Sequence, residues 1–91
     1  MLKTKGTITY TTKENPDQLI TEEVLSAYQQ AGTYQVNIKL PAKGRYPYLL
    51  YNGYSKRWMV PDKEDKYGDL LYKDFDGKII SFEYTTYWEE D

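Results

Sequence analysis

An alternation of apolar and polar residues with a period of two recurs along this chain and constrains its fold. Residues 33–40 show the alternation most regularly, with Tyr34, Val36, Ile38 and Leu40 on one side. Successive side chains of a β-strand point to opposite faces, so a period of two predicts strands. A strand with one apolar and one polar face favours an antiparallel sheet with one face in water.

Other segments carry the same signal and are joined by turn residues. Residues 6–12, 70–75 and 78–88 are predicted to be strands, and the last two are predicted to form a hairpin around Asp76-Gly77.

An aromatic hairpin is predicted over residues 45–60. Asn52-Gly53 lies between two aromatic-rich runs, and this dipeptide tolerates the positive φ angles of a type I′ turn. A two-residue turn at this position would place Tyr51 opposite Tyr54. Neither face of this hairpin is purely apolar, so the sequence leaves open which face is buried.

One segment has the signals of a helix. Thr21 suits the N-cap, two glutamates follow it at the positive end of a helix, and Gly32 suits the residue just after the last turn. An earlier start at Asn15 is the alternative. The apolar face of this helix would consist of Val24, Leu25, Tyr28 and Ala31.

The predicted fold is α+β, with the element order β-α-β-β-β-β-β. One short helix would pack on a twisted antiparallel sheet of five to six strands, because three helical turns are unstable alone. The 91 residues suit a single domain, 1–91. Leu, Ile, Val and Phe number only 18, so many of the eleven tyrosines and two tryptophans are needed to complete the core.

The absence of cysteine and histidine excludes several classes of function. Disulfide frameworks, zinc sites with thiolate or imidazole ligands, cysteine nucleophiles and Ser-His-Asp triads all need these residues. The segment Asp74-Phe75-Asp76-Gly77 resembles the start of an EF-hand loop, but Thr85 occupies the position of the bidentate glutamate, so a turn is predicted. We predict a protein that is not an enzyme and that uses no cofactor and no metal.

The location of the protein is predicted from what its sequence lacks. The first six residues do not form the apolar run of a signal peptide, and no stretch has the roughly 20 apolar residues of a membrane helix. The prediction is a cytoplasmic protein without a membrane partner.

Charge is distributed unevenly along the chain. Residues 25–60 contain five cations and no carboxylate, whereas residues 62–91 contain ten acidic residues against four lysines, a net charge of −6. Two surfaces of opposite sign would attract different partners if this segregation survives folding.

The first candidate site is the basic and aromatic hairpin. Tyrosine and tryptophan rings stack on nucleic-acid bases while lysine and arginine hold phosphates. The alternative is structural, with Trp58 in the core and Tyr48 paired across the strands with Arg57. The candidate residues are Tyr48, Tyr51, Tyr54, Lys56, Arg57 and Trp58.

The second candidate site is the acidic final third. Its carboxylates would occupy the basic groove of a nucleic-acid-binding protein, with exposed aromatic side chains as anchors. The alternative is an ordinary solvated surface with charges on edge strands. The candidate residues are Asp62, Glu64, Asp65, Asp69, Asp74, Asp76 and Glu83, with residues 89–91 as a tail.

The acidic, tyrosine-rich end, Phe-Glu-Tyr-Thr-Thr-Tyr-Trp-Glu-Glu-Asp at residues 82–91, and the hairpin rich in Tyr, Asn and Lys carry a family resemblance. In general character the chain resembles small proteins of bacteriophages and mobile elements, including the anti-CRISPR inhibitors. This resemblance implies a non-enzymatic inhibitor that binds a host nuclease or defence complex.

The leading hypothesis is therefore a non-catalytic binding protein that inhibits a host nucleic-acid-handling or defence protein. Two alternatives remain open at this stage. One is a module that binds single-stranded nucleic acid through residues 45–60, and the other is a small structural or assembly subunit whose exposed tyrosines contact another subunit. The sequence does not determine the oligomeric state.

Overall fold

The chain folds into eight β-strands, as seen in a computed structural model that describes residues 1–90. All strand pairs are antiparallel. The strands are β1 (Leu2–Thr11), β2 (Ile20–Glu23), β3 (Ser26–Gln29), β4 (Gln35–Lys39), β5 (Tyr48–Asn52), β6 (Arg57–Glu64), β7 (Leu70–Asp74) and β8 (Lys78–Trp88).

The strands form two sheets. Sheet 1 has the order β2-β1-β8, and sheet 2 has the order β3-β4-β5-β6-β7. Sheet 1 joins the two ends of the chain, because Leu2 lies opposite Trp88 and the pairing continues to Thr11 opposite Lys78. Sheet 2 is a meander in which each strand pairs with the next one along the chain.

A sharp corner between β2 and β3 connects the two sheets. The backbone amide of Val24 donates to the Gly6 carbonyl in sheet 1, and the next amide, of Leu25, donates to the Lys39 carbonyl in sheet 2. Val24 is completely buried at this corner. The chain therefore passes from one sheet to the other at this corner with both of these amides paired.

One hydrophobic core lies between the sheets and takes residues from both. Its aliphatic members are few, and aromatic rings complete it: Tyr10 packs edge-on against Phe75 at 5.8 Å between centroids and lies 5.9 Å from Tyr46. The buried members of the core are Ile8, Tyr10, Val24, Ile38, Leu40, Leu49 and Val60.

The Tyr10 side chain carries a polar group into this core. Its hydroxyl and Oε2 of Glu22 are both buried without a hydrogen bond of standard geometry among the described residues, yet the two groups are close enough to interact. Burial, followed by the nearby Glu22 carboxylate, raises the pKa of Tyr10 to about 12. Tyr10 therefore stays neutral in the folded protein at physiological pH.

The predicted helix is wrong, and with it the α+β class: the fold is all-β. The segment from Thr21 to Gly32 forms β2, the corner and β3 instead. Ile20, Glu22 and Val24 alternate toward the interior with the period of a strand. Neighbouring strands satisfy the amides of this segment, so tertiary pairing overrides its local helix signals. Gly32 has a φ of 77° in the turn between β3 and β4, not after a helix.

The predicted Asn52-Gly53 turn is also wrong. Tyr51 lies opposite Trp58, not Tyr54, so β5 and β6 are joined by a four-residue loop, residues 53–56. The Asn52 side-chain oxygen accepts hydrogen bonds from the amides of Tyr54 and Ser55 and holds this loop. The left-handed residue is Lys56, with a φ of 58°.

The predicted hairpin around Asp76-Gly77 does not form, because its two strands lie in different sheets. The amide of Phe75 donates to the Trp58 carbonyl in sheet 2. A Cβ atom on Gly77 would overlap the Thr11 carbonyl oxygen. Glycine thus lets the chain approach β1 closely as it crosses to sheet 1.

Strands in the four periodic segments are confirmed. The predictions at residues 6–12, 33–40 and 70–75 correspond to β1, β4 and β7, and the prediction at 78–88 has the bounds of β8. Residues 1–90 contain no helix long and apolar enough to cross a membrane.

The variant Tyr10→Phe is expected to leave the free energy of unfolding within about 1 kcal/mol of the wild-type value, because the desolvation of the hydroxyl that it removes is offset by the lost attraction to the Glu22 carboxylate. Urea denaturation at neutral pH measures this change. Tyr72→Phe is the control, since Tyr72 lies on β7 outside the core cluster and is expected to change little. A loss of more than about 1 kcal/mol in Tyr10→Phe would contradict the expectation.

The same variant has an expected signature at high pH. The native pKa of Tyr10 is raised from 10.0 to about 12, so its contribution to stability is complete below pH 10 and is lost as the pH rises toward 12. Tyr10→Phe therefore removes part of the alkaline destabilisation over that range. Denaturation midpoints of both proteins across the range test this.

Candidate functional site

A row of aromatic rings crosses from sheet 2 to sheet 1 and ends at the surface. The centroids of Tyr51 and Trp58 are 4.8 Å apart, and those of Trp58 and Phe82 are 5.3 Å apart with the rings edge to face. Phe82 and Tyr84 are stacked at 5.4 Å. We call these four residues the aromatic row.

The aromatic row lines a cleft of about 380 Å³ between β8 and sheet 2. Ile80 also lines this cleft and is 48% exposed. It is the extra residue of a β-bulge, because Thr9 lies opposite Ser81 while Tyr10 lies opposite Ile79. In a regular strand, a side chain at this position would point to the opposite face of the sheet. The bulge turns the Ile80 side chain toward the cleft instead. We call this hollow the aromatic cleft.

The strand beside the cleft has an open edge. β8 lies at the end of sheet 1 and pairs with β1 on one side, and no strand of residues 1–90 pairs with its other side. The amides and carbonyls along that side therefore have no strand partner among the described residues.

The outer halves of β1 and β8 extend past the rest of sheet 1 as a two-stranded ribbon. β2 pairs only with residues Thr7 to Tyr10 of β1, which leaves the segment from Leu2 to Lys5 paired with β8 alone. The ribbon ends in two hydrogen bonds between Met1 and Glu89. Its exposed large side chains include Leu2, Tyr84, Tyr87 and Trp88.

Gly6 marks the base of the ribbon and lies opposite Tyr84. A Cβ atom on Gly6 would overlap the carbonyl oxygen of Glu83 and lie 2.6 Å from Cβ of Tyr84. Glycine at this position therefore lets the two strands approach closely enough for Tyr84 to lie over the backbone and stack on Phe82.

The structure divides the six candidate residues of the aromatic hairpin among three places. Tyr51 and Trp58 point inward to the aromatic cleft, and Trp58 packs against the core as the structural alternative predicted. Tyr54, which is 83% exposed, and Lys56 lie in the loop.

The remaining two hairpin candidates, Tyr48 and Arg57, are on the outer surface of sheet 2. Tyr48 lines a shallow hollow of about 200 Å³ with Tyr28 and Tyr72. Arg57 forms an ion pair with Asp74 at 3.7 Å and lies opposite Asn52, so the predicted pair of Tyr48 and Arg57 does not exist.

Four of the seven acidic candidates lie together at the end of β6 and in the connection to β7. Asp65 has a structural task there, because its Oδ1 accepts the amides of Tyr67 and Asp69. Asp62 lies 3.9 Å from Lys73. Lys63 and Lys66 lie in the same segment, so this end of sheet 2 has both signs of charge. The four residues are Asp62, Glu64, Asp65 and Asp69.

The other three acidic candidates lie elsewhere. Asp74 and Asp76 line a hollow at the opposite end of β7 together with Arg45 and Lys73. Glu83 lies on the outer face of sheet 1, opposite Thr7. The seven acidic residues are therefore distributed over three places, and lysine or arginine side chains adjoin each of them.

Ion pairs also mix the basic middle of the sequence with acidic residues from outside it. Arg45 lies 3.0 Å from Glu14 and is 5.6 Å from the centroid of the Tyr46 ring. A hydrogen bond from its own backbone amide and the charge of Arg45 lower the pKa of the Glu14 carboxyl. Folding thus reduces the charge segregation visible in the sequence.

A second concavity, of about 700 Å³, lies on the outer face of sheet 1. Glu23 and Glu83 flank Thr7 across the sheet, with Lys5 in the next row. Among the described residues, no three His, Cys, Asp or Glu side chains are grouped to hold a metal ion.

Sequence reasoning missed the part of the site that β8 contributes. It placed Phe82, Tyr84 and Ile80 on a strand but gave none of them a role in binding. The signal was present in the two-residue alternation of β8, which continues past its buried part to Trp88. Acidic Asp91, the last residue of the predicted tail, lies outside the described residues.

Comparisons with protein-family models, with curated proteins and with solved structures found no match to this chain.

The variant Gly6→Ala is expected to lower the free energy of unfolding by about 1–3 kcal/mol, because the added methyl group forces the β1 and β8 backbones apart. Urea denaturation measures the loss, and faster amide exchange in residues 84–88 locates it in the ribbon. Lys5→Ala is the control, since this side chain is exposed on the same strand. A Gly6→Ala protein as stable as the wild type would contradict the close approach.

Proposed function

We propose that this chain is a non-catalytic protein-binding domain that accepts an extended segment along the open edge of β8. The observation that supports this proposal is the position of that edge beside the aromatic cleft. Backbone groups for strand addition and apolar side chains for anchoring thus occur on the same element.

Strand addition needs a strand whose outer backbone groups are unpaired over several residues. β8 has 11 residues, contains no proline and ends sheet 1, so its outer side can pair with an added strand. Such pairing supplies affinity through main-chain hydrogen bonds, and pockets for alternate side chains supply specificity.

The aromatic cleft would supply that specificity. Tyr51, Trp58 and Phe82 are half-buried, so an added side chain would meet rings that the protein already holds in place. Placing an apolar side chain in the cleft would remove Ile80 and Tyr84 from water, and full burial of a large apolar side chain is worth about 1.5–3 kcal/mol. The segment bound is therefore expected to carry aromatic or branched apolar residues at alternate positions.

Inhibition of a host nucleic-acid-handling or defence protein is the particular form of this role that the sequence predicts. The resemblance to anti-CRISPR proteins and the acidic residues of the β6–β7 end support it, and a cytoplasmic location belongs to the same proposal. The sequence-based alternatives use the exposed aromatic residues differently. In one, the hairpin of residues 45–60 binds single-stranded nucleic acid. In the other, exposed tyrosines contact another subunit of an assembly.

Selection from a random peptide library tests the binding domain. Selected peptides are expected to have apolar residues at alternate positions and to slow amide exchange along β8. The variants Ile80→Lys and Tyr84→Lys each put a charge beside the apolar peptide side chain that would occupy the aromatic cleft. Each is therefore expected to weaken binding about tenfold or more, which is equivalent to about 1.4 kcal/mol.

Tyr67→Lys is the matched control, because Tyr67 is an exposed tyrosine like Tyr84 but lies at the far end of sheet 2. It is expected to bind the selected peptides as the wild type does. Peptides that bind all three variants equally well, or that protect only the β6–β7 end from exchange, would contradict the proposed surface.

The inhibitor form of the proposal has a separate test. Neutralising Asp62, Glu64, Asp65 and Asp69 together is expected to weaken binding to a basic partner protein and to reduce the salt dependence of that binding. A matched variant retains Asp65 and neutralises the other three residues. Because Asp65 accepts the amides of Tyr67 and Asp69, comparing the two variants separates the effect of lost charge from the effect of losing this turn. Unchanged affinity and salt dependence in both variants would contradict a role for these charges.

A further inference from the structure

We propose that the segment added to β8 is β8 of a second copy of the chain, paired antiparallel about a two-fold axis at Tyr84. This inference rests on the proposed function, since it uses the same open edge and names its occupant. The pairing would join the two copies of sheet 1 into one continuous six-stranded sheet, β2-β1-β8-β8-β1-β2.

Symmetry restricts the registers that such a dimer can adopt. A two-fold axis perpendicular to an antiparallel pair passes between two residues that lie opposite each other, so one residue of β8 must face its own copy. An axis at Glu83 would place two carboxylates directly opposite each other, which is destabilising. An axis at Thr85 would place Ile80 beside Glu90. An axis at Tyr84 avoids both, because the bulge lets Ile79 and Ile80 share one opposite position, that of Trp88 in the other copy.

With the axis at Tyr84, opposite charges meet at both ends of the added strand. The Lys78 end of each β8 comes beside the acidic Glu89-Glu90 end of the other copy, where Glu89 also lies 3.5 Å from Lys3 of its own chain. The two-fold axis repeats this complementarity, so two attractive contacts result from one arrangement. Charge complementarity of this kind favours antiparallel over parallel self-pairing, because a parallel arrangement would place the two acidic ends side by side.

The same register provides an occupant for the aromatic cleft. Trp88 lies on the same face of β8 as Phe82, because their partners on β1, Leu2 and Ile8, are an even number of positions apart. Trp88 is 69% exposed in the single chain. In the dimer it comes beside Ile80 of the other copy, where the cleft is open. Two exposed apolar side chains of each copy are thereby covered.

Single cysteine variants test both the dimer and its register, because the natural chain has no cysteine. Opposite residues of an antiparallel pair have Cα atoms about 4.5–5.5 Å apart, within the range of a disulfide. In a glutathione buffer, Tyr84→Cys is expected to form covalent dimers about tenfold faster than the controls. Wild-type protein is expected to change in mass from 10.8 kDa to twice that value as its concentration rises.

The register controls are Thr86→Cys and Glu83→Cys, and Tyr54→Cys is the control for random collision. Two copies of residue 86 would be four positions apart along the joined strands, or about 13 Å, too far for a disulfide. Wild-type protein that stays at 10.8 kDa at every concentration, or cross-linking of Tyr84→Cys no faster than of Tyr54→Cys, would overturn the dimer.

Failure of the dimer and failure of the binding surface give different results. In one result, the chain stays a monomer while selected peptides still bind and the variants Ile80→Lys and Tyr84→Lys weaken that binding. In that case the dimer is wrong and the proposed binding surface stands. If peptides bind independently of these residues, the proposed surface fails as well. Dimers that cross-link through Glu83→Cys instead of Tyr84→Cys would overturn the register.

Discussion

The pairing of the first strand with the last is the interaction on which the rest of this structure depends. Ten residues of β1 pair with β8, and this ladder is the centre of sheet 1. It places Ile8 and Tyr10 over sheet 2, where they complete the core. It also determines that β8 lies at an edge, because β2 occupies the other side of β1. The core and the open binding edge therefore have the same origin.

A shortage of aliphatic side chains connects the interior of this protein with its surface. Because Leu, Ile, Val and Phe number only 18, aromatic rings extend the core outward, from Tyr10 and Phe75 in the interior to Trp58 and Phe82 at the margin. Rings at the margin are only half-buried, and they leave the aromatic cleft between β8 and sheet 2. The features that complete this core thus also create the apolar site.

Several parts of the fold and of the site could be predicted from the sequence. The alternation of residues 33–40 and 78–88 identified β4 and β8, because a two-residue period is a local property of a strand. The sequence also identified Trp58 as a candidate for both core and site. It could not place the acidic residues, since their grouping depends on which strands become neighbours.

The sequence by itself determined where most strands form and that aromatic residues must complete the core, because both follow from local pattern and composition. Only the tertiary structure decided that residues 20–29 are two strands, since their amides pair with Gly6 and Lys39, which are distant along the chain. It likewise decided the loop after Asn52, the inward face of β5 and β6, and the open edge of β8. Backbone pairing between distant segments is specified by the whole core, and no local window of sequence contains it.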